Sequence, residues 1–227
     1  MAVQLRGFLA ERFLFLPQVI ERQRLTSPLY QLATARDVGF KVPPTVVGQV
    51  LSSLYARGPI ERIHYRPLTA VQFQVRNAQF VTVERWIHAD RTFAMHQAFG
   101  PAAFSLRPDS GNRILVLILG SKLFAIEISL IDPGRDPQIT DFSFHAAQEN
   151  LNASICSLTS PIQEVCHEFF RTTGLRFGLI DLLHDSESGD LWYLAAHASP
   201  KLGLFHETGL PVYDHLLEWL LRGRDTP

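Results

Sequence analysis

Between Leu175 and Pro200 the chain carries an apolar strand, a polar turn and a second apolar strand in quick succession. The first run, Leu175 to Leu183, holds one acid, Asp181. A polar loop around Ser188, Gly189 and Asp190 follows, built from residues that favour turns. The second run, Leu191 to Ala196, leads into His197, Ser199 and Pro200. Two strands joined this closely pair antiparallel, because a parallel pair needs a long crossover. Residues two apart on a strand share a face, so positions 195 and 197 look the same way.

The 227 residues are 46% hydrophobic and 19% charged, enough for one large domain or two small lobes with a real core. A net charge of −1 argues against nucleic-acid binding, which needs a basic face to offset phosphates. No apolar run reaches the ~18 residues of a membrane span. The amphipathic start, MAVQLRGFLAERFLFLPQVIERQR, lacks the apolar core and cleavage site of a signal peptide. Cys156 and Cys166 have no metal or redox spacing and read as buried thiols of a cytoplasmic protein.

Ser27 suits an N-cap and Pro28 the first helical position, with Gly39 as a left-handed stop. This predicts a helix with Leu29, Leu32, Ala33 and Arg36 on one face. Lys41 to Val47 then enters a strand, since Pro43 and Pro44 exclude helix. Further strands are expected at Ile63–Leu68 and Phe80–Glu84, with a short helix over Asp90–Phe99. Asn112–Leu119 and Lys122–Leu130 form a hairpin closed by Gly120-Ser121. Residues 131–140 read as loop. Ser160-Pro161-Ile162-Gln163 has the form of a capping box that starts a helix ending at Gly174. A last helix begins near Pro211, with Tyr213, Leu216, Leu217 and Leu220 on one side. Helices mixed with antiparallel hairpins give an α+β class.

In this order the elements resemble the ATP-grasp superfamily. The branch is that of glutathione-synthetase-like ligases, ribosomal-protein glutamate ligases and the ligases that cyclise microviridin precursor peptides. SPLYQLATARDVGFKVPPTVV, residues 27–47, is similar to the family's helix and Gly-x-x-Val-Pro-x-Thr strand. Tyr65-Arg66-Pro67-Leu68 stands where the family has Lys-Pro-Leu, and Asn112-Arg113 where it has an Asp-x-Arg step. The hairpin at 175–200 resembles the family's metal-binding hairpin, with an Asp on the first strand and Glu-x-Asn on the second. The resemblance implies an ATP-grasp-like fold with mixed and antiparallel sheets and flanking helices. It also implies that the N-terminal pre-ATP domain is lacking. The expected layout is an N-terminal arm over 1–24, a small lobe over 25–105 and a C-terminal lobe over 106–227.

The same resemblance assigns candidate sites and marks departures. Asp181 and His197 are the candidate metal positions, Arg66 and Arg113 the candidate nucleotide contacts, and Arg113 and Asp141 the candidate catalytic residues. Ala195 and His197 replace the family's Glu and Asn. Magnesium prefers hard oxygen ligands, whereas imidazole suits other metals. Arg66 replaces a Lys, no glycine follows it to cradle phosphate, and Asp141-Phe142-Ser143 lacks the Arg of the family's Asp-Trp-Arg. The bland readings stand beside these. Asp181 is a metal ligand or a strand-end acid, and His197 a ligand or a surface histidine. Arg113 binds phosphate or forms an ion pair with an acid such as Glu127, and Arg66 has the same two readings. The remaining histidines have no H-x-x-x-H spacing, and no Gly-x-Ser-x-Gly elbow occurs.

Two functions are therefore expected in competition. One is a non-catalytic or strongly weakened relative that binds a peptide or protein partner, with ATP and magnesium held weakly or not at all. The other is an active ATP-dependent carboxylate-amine or carboxylate-hydroxyl ligase whose ligands have moved to Asp181, Asp141 and Glu127 or His197. Phe8, Leu9, Phe13, Phe15 and Leu16 crowd the arm of a chain with 16 phenylalanines, and this suggests a homodimer.

Overall fold

In a computed structural model, residues 25–48, 62–68, 72–75, 78–81, 85–88, 102–106, 111–130, 151–200 and 202–222 are described. The arm, the helix expected at Asp90–Phe99, the loop at 131–140 and Asp141 lie outside them. The chain divides into two units. One groups residues 1–42, 111–130 and 151–227, and the other groups 43–110 and 131–150. The first helix has its contacts in the unit that holds residues 111–130 and 151–227.

That first helix, α1 (Pro28–Asp37), starts as expected, with the Ser27 hydroxyl accepting from the Tyr30 N–H at 3.4 Å. It ends in a Schellman motif. Gly39 takes φ +104°, its N–H reaches Arg36 O at 3.1 Å, and Phe40 N–H reaches Ala35 O at 2.9 Å. The motif turns the chain sharply and delivers Phe40 into the core. The buried face is not the expected one. Pro28, Gln31, Thr34 and Ala35 point inward, while Leu29 is exposed.

The larger unit is built on β7 (Asn112–Leu119), β8 (Lys122–Leu130), β9 (Leu151–Ile155), β10 (Phe177–His184) and β11 (Leu191–His197). Their order is β11-β10-β7-β8-β9, antiparallel throughout. One face carries Ile114, Val116, Ile118, Ala125, Ile180 and Leu182. Against it pack α1 and α2 (Ser160–Thr173), which contributes Cys166, Phe169 and Phe170. The rings of Phe40, Phe169 and Tyr193 meet there with centroids 5.4–6.1 Å apart. Each such side chain, once buried, contributes about 1.5–3 kcal/mol.

Helix α2 stops at Gly174 as expected, with φ +77°. Its start differs from the capping box. Thr159 is the N-cap, no side chain caps it, and the Gln163 amide donates instead to Leu158 O at 2.8 Å. After a short α3 (Gly203–Glu207), α4 (Val212–Arg222) lies against β7. Its His215 ring stands 5.3 Å from Phe124. Its Trp219 sits so close to the β7–β8 turn that a Cβ on Gly120 would approach the indole nitrogen to 2.7 Å. Of the stripe expected on one side of this helix, Tyr213, Leu217 and Leu220 are exposed, and Leu221 with them.

In the other unit, β1 (Thr45–Gly48), β2 (Arg62–Pro67), β5 (Arg85–His88) and β6 (Ala102–Ser105) form a sheet in the order β1-β6-β2-β5. β3 (Gln72–Val75) and β4 (Ala78–Val81) make a separate hairpin. Ile63, Tyr65 and Phe104 are buried at the centre of the sheet.

Candidate functional site

The hairpin of β10 and β11 sets Asp181 opposite Ala195, and Leu179 opposite His197. This register depends on a bulge. Leu182 pairs with Tyr193 while Asp181 pairs with Ala195, so Leu194 is an extra residue. Tyr193 and Ala196 both lie in the helix-covered core, which plain alternation forbids. The extra residue brings Ala195 and His197 to the face that holds Asp181.

Gln31 seals the open edge of β11 at the bulge. Its amide oxygen accepts the Ala196 N–H at 2.9 Å and the Tyr193 hydroxyl at 3.1 Å. Its amide nitrogen donates to Ala196 O at 3.1 Å and also to Leu25 O. A buried side-chain amide thus acts as a strand would, satisfying both backbone groups of one residue. Further along the edge, Tyr193 N–H donates to Lys41 O at 2.8 Å. The Lys41 ammonium pairs with Asp190 and lies 4.3 Å above the Trp192 ring. Sequence reading missed Gln31, because its partners are 162 and 165 residues away.

Asp181 is buried and meets Arg113. The guanidinium grips both carboxylate oxygens, Nε to Oδ1 at 2.7 Å and Nη2 to Oδ2. The side chains are 13% and 6% exposed. Register explains the choice of partner. Arg113 faces Leu183, Asp181 faces Leu115, and the two lie diagonally on one side of the sheet. Glu127, the acid anticipated for Arg113, faces Ile114 and belongs to the opposite side. There it accepts from the Asn112 amide at 2.9 Å and stands 3.8 Å from His184 Nδ1. Its charge is the smaller of two causes that raise the Cys156 thiol above its ordinary value, after burial. Cys166 is pushed up to about 12 by burial alone. Neither thiol is activated.

Of the other candidates, Arg66 is half-buried on β2 opposite Ala103, in the smaller unit. His197 is exposed at the end of β11. At the hairpin turn, Asp185 accepts from the Ser188 hydroxyl at 2.6 Å and the Glu187 N–H at 3.0 Å, and both bonds hold its carboxyl below the ordinary value. Among the described residues, no three His, Cys, Asp or Glu side chains cluster to hold a metal ion. The hairpin itself offers one carboxylate already occupied by Arg113, an alanine and an imidazole. That donor set does not match the oxygen octahedron of magnesium.

No protein-family model matches this sequence, and no curated protein matches it. Solved structures do match. The macrocyclase MdnC from Microcystis aeruginosa MRC, bound with precursor peptide MdnA, superposes with a TM-score of 0.74 at 18% identity, over 97% of this chain and 69% of that one. An RiPP-associated ATP-grasp ligase from Chryseobacterium gregarium, in complex with ADP and a leader and core peptide, gives 0.73 at 16% identity, over 99% and 67%. D-alanine–D-alanine ligase from Bacillus anthracis gives 0.58 at 10% identity, over 91% and 71%. The chain has the ATP-grasp fold. Within that fold it is similar to ligases solved with precursor peptides, and it spans about two thirds of their length.

Proposed function

We propose that this chain is a non-catalytic or strongly weakened relative of the peptide-modifying ATP-grasp ligases, and that it binds a peptide or protein partner. The observation that carries this reading is the hairpin: Ala195 stands opposite Asp181 where a second oxygen ligand is needed, and Asp181 is itself engaged by Arg113. The rival is an active ligase with ligands relocated to Asp181, Asp141 and Glu127 or His197. It draws no support from Asp181 and Glu127, which point to opposite sides of the sheet. His197, on the Asp181 face, brings a nitrogen where magnesium prefers oxygen. Precursor peptides in the similar ligases support a peptide as the partner class.

Melting in the presence of Mg-ATP tests the reading. A ligand that binds the native state alone raises stability by mass action. No measurable shift is expected at millimolar nucleotide. A rise of several degrees that EDTA abolishes would establish the rival. A repair experiment runs the other way. Ala195→Glu with His197→Asn puts oxygen ligands on the Asp181 face and is expected to create magnesium-dependent nucleotide binding. Calorimetry on the double variant that registers no heat beyond wild type removes the argument from lost ligands.

The reading extends to self-association. Among the described residues four of the large exposed apolar side chains, Tyr213, Leu217, Leu220 and Leu221, lie on α4 at helical spacing. A homodimer covers such a surface. Light scattering checks it: a dimeric mass that becomes monomeric in Leu217→Ser/Leu221→Ser supports the dimer, and a monomeric wild type across a hundredfold dilution removes it. No helix among the described residues is long and apolar enough to cross a membrane. Two free cysteines suit a reducing, cytoplasmic setting.

A further inference from the structure

We infer that the outer edge of β9 is a docking edge for one extended peptide strand, which joins the larger sheet beside it. The inference rests on the proposed binding of a peptide partner and gives that partner a surface. β9 ends the order β11-β10-β7-β8-β9, and among the described residues no strand pairs with its outer side. The hydrogen-bond phase identifies the groups left over. Cys156 N–H donates to Ala125 O at 3.1 Å, and Ile155 stands opposite Ile126. Bonded and non-bonded pairs alternate along an antiparallel ladder. Ser154 and Asn152 therefore direct their main-chain groups to Glu127 and Ser129 on β8. Leu151, Ala153 and Ile155 direct theirs away from the sheet.

The two edges of this sheet are finished differently. At β11, Gln31 takes both main-chain groups of Ala196, and Lys41 O takes the Tyr193 N–H. At β9 the usual deterrents to strand addition, charge and proline, are missing. No charged residue stands between Glu149 and Glu164, and Leu151–Ile155 holds no proline. Ile155 is 56% exposed, a large apolar side chain on the face opposite to the exposed Asn152 and Ser154. Such an edge draws affinity from the guest's main chain and specificity from its alternate side chains. The matching guest runs antiparallel and is uncharged. It is apolar where it opposes Ile155, and polar where it opposes Asn152 and Ser154. A second copy of β9 is the competing occupant. A pair of five-residue strands buries far less than the roughly 1,200 Å² of a stable interface between folded proteins, so the edge suits a peptide better.

The probe is a blocked peptide that alternates threonine with isoleucine, read by amide exchange in the full chain. Exchange at Ala153 and Ile155 is expected to slow with peptide, while Asn152 and Ser154, already bonded to β8, stay unchanged. N-methylation of the peptide's isoleucines removes the donors that face β9 and is expected to abolish the slowing. N-methylation of its threonines is expected to leave the slowing intact. Ala153→Pro removes one outward N–H and keeps the β8 side of the ladder, a place where edge strands accept proline. It is expected to fold and to show no slowing at Ile155. Ile155→Lys, which decides the point if the proline variant does not fold, is expected to bind about fivefold more weakly. Equal slowing at all four amides, or indifference to which residues carry the methyl groups, would overturn the inference. Protection at Ala153 and Ile155 that rises with protein concentration without peptide would give the edge to a second copy and overturn the peptide. Heat of peptide binding in calorimetry with no slowing at β9 would overturn the edge and leave the proposed peptide partner standing. Neither heat nor slowing overturns the edge as well, and the Mg-ATP melt remains a separate test of the lost activity.

Discussion

The five strands of the larger sheet present two faces made from the same run of sequence. On one, Ile114, Val116, Ile118, Ile180 and Leu182 meet Phe40, which follows α1, and the aromatic residues of α2. On the other, the intervening positions include Leu115, Leu117 and Leu183, which are buried too, but also Arg113 and Asp181. The helix-covered face has one job, burial, and any apolar side chain of the right volume serves it. The other face keeps an ion pair where two leucines would be at least as stable. That ion pair is the clearest chemical difference between the two faces.

The largest expected effect tests the helix-covered face. Phe169 is fully buried between Phe40 and Tyr193, and Phe169→Ala is expected to cost about 3–5 kcal/mol in urea unfolding. A loss under ~1 kcal/mol would mean that this face is not the core. The opposite face follows. Arg113→Met strands the Asp181 carboxylate and is expected to cost about 3 kcal/mol, the low end for a buried pair. Arg113→Met/Asp181→Leu is expected to lie within about 1 kcal/mol of wild type. Equal losses in single and double variants would show that packing, not charge, governs both faces alike.

A smaller effect is expected at the edge that joins the two faces. Gln31→Leu leaves the Ala196 peptide without its side-chain partner, removes an acceptor from the Tyr193 hydroxyl, and is expected to cost about 2 kcal/mol. Amide exchange at Ala196 is expected to quicken more than at Ile180. Exchange that stays uniform would separate Gln31 from the bulge.

The smallest effect concerns the turn. The Ser188 hydroxyl is the main group holding Asp185 below its ordinary value of 3.8, and the Lys41 ammonium the main group lowering Asp190. Both acids are ionised in folded and unfolded chains near neutrality, so their contribution is complete there. It is lost as pH falls from 3.8 through the lower folded values. The Gly189 N–H, bonded to Asp185 O at 2.9 Å, is the probe. Relative to an amide in the core, its exchange is expected to quicken on lowering the pH from 5 to 3, and a slowing there would reverse the sign.

Local signals were legible in the sequence. The β7–β8 hairpin follows from two apolar runs around Gly120-Ser121, α1 from Ser27, Pro28 and Gly39, and α2 from Pro161 and Gly174. The hairpin that frames the candidate site was legible too, including Ala195 and His197 on one face. What escaped was pairing at long range. Gln31 turns α1 inward through a strand 165 residues away, and no pattern of apolar residues encodes that. Arg113 and Asp181 are 68 residues apart, so the nearer Glu127 looked the better partner. Counting the faces through the Gly120 turn would have excluded it, since Glu127 pairs with Ile114.

The extra residue at Leu194 behaves in β11 as a frameshift does in a message. Tyr193 reads inward in one frame, and Ala196 reads inward in the other. Deleting a single residue there would restore one frame throughout. Ala195 and His197 would stay beside Asp181, whereas a strand of the same length without the bulge would turn them under the helices. Two strands of the same spelling, one bulged at this point and one plain, would present opposite side chains to the same space.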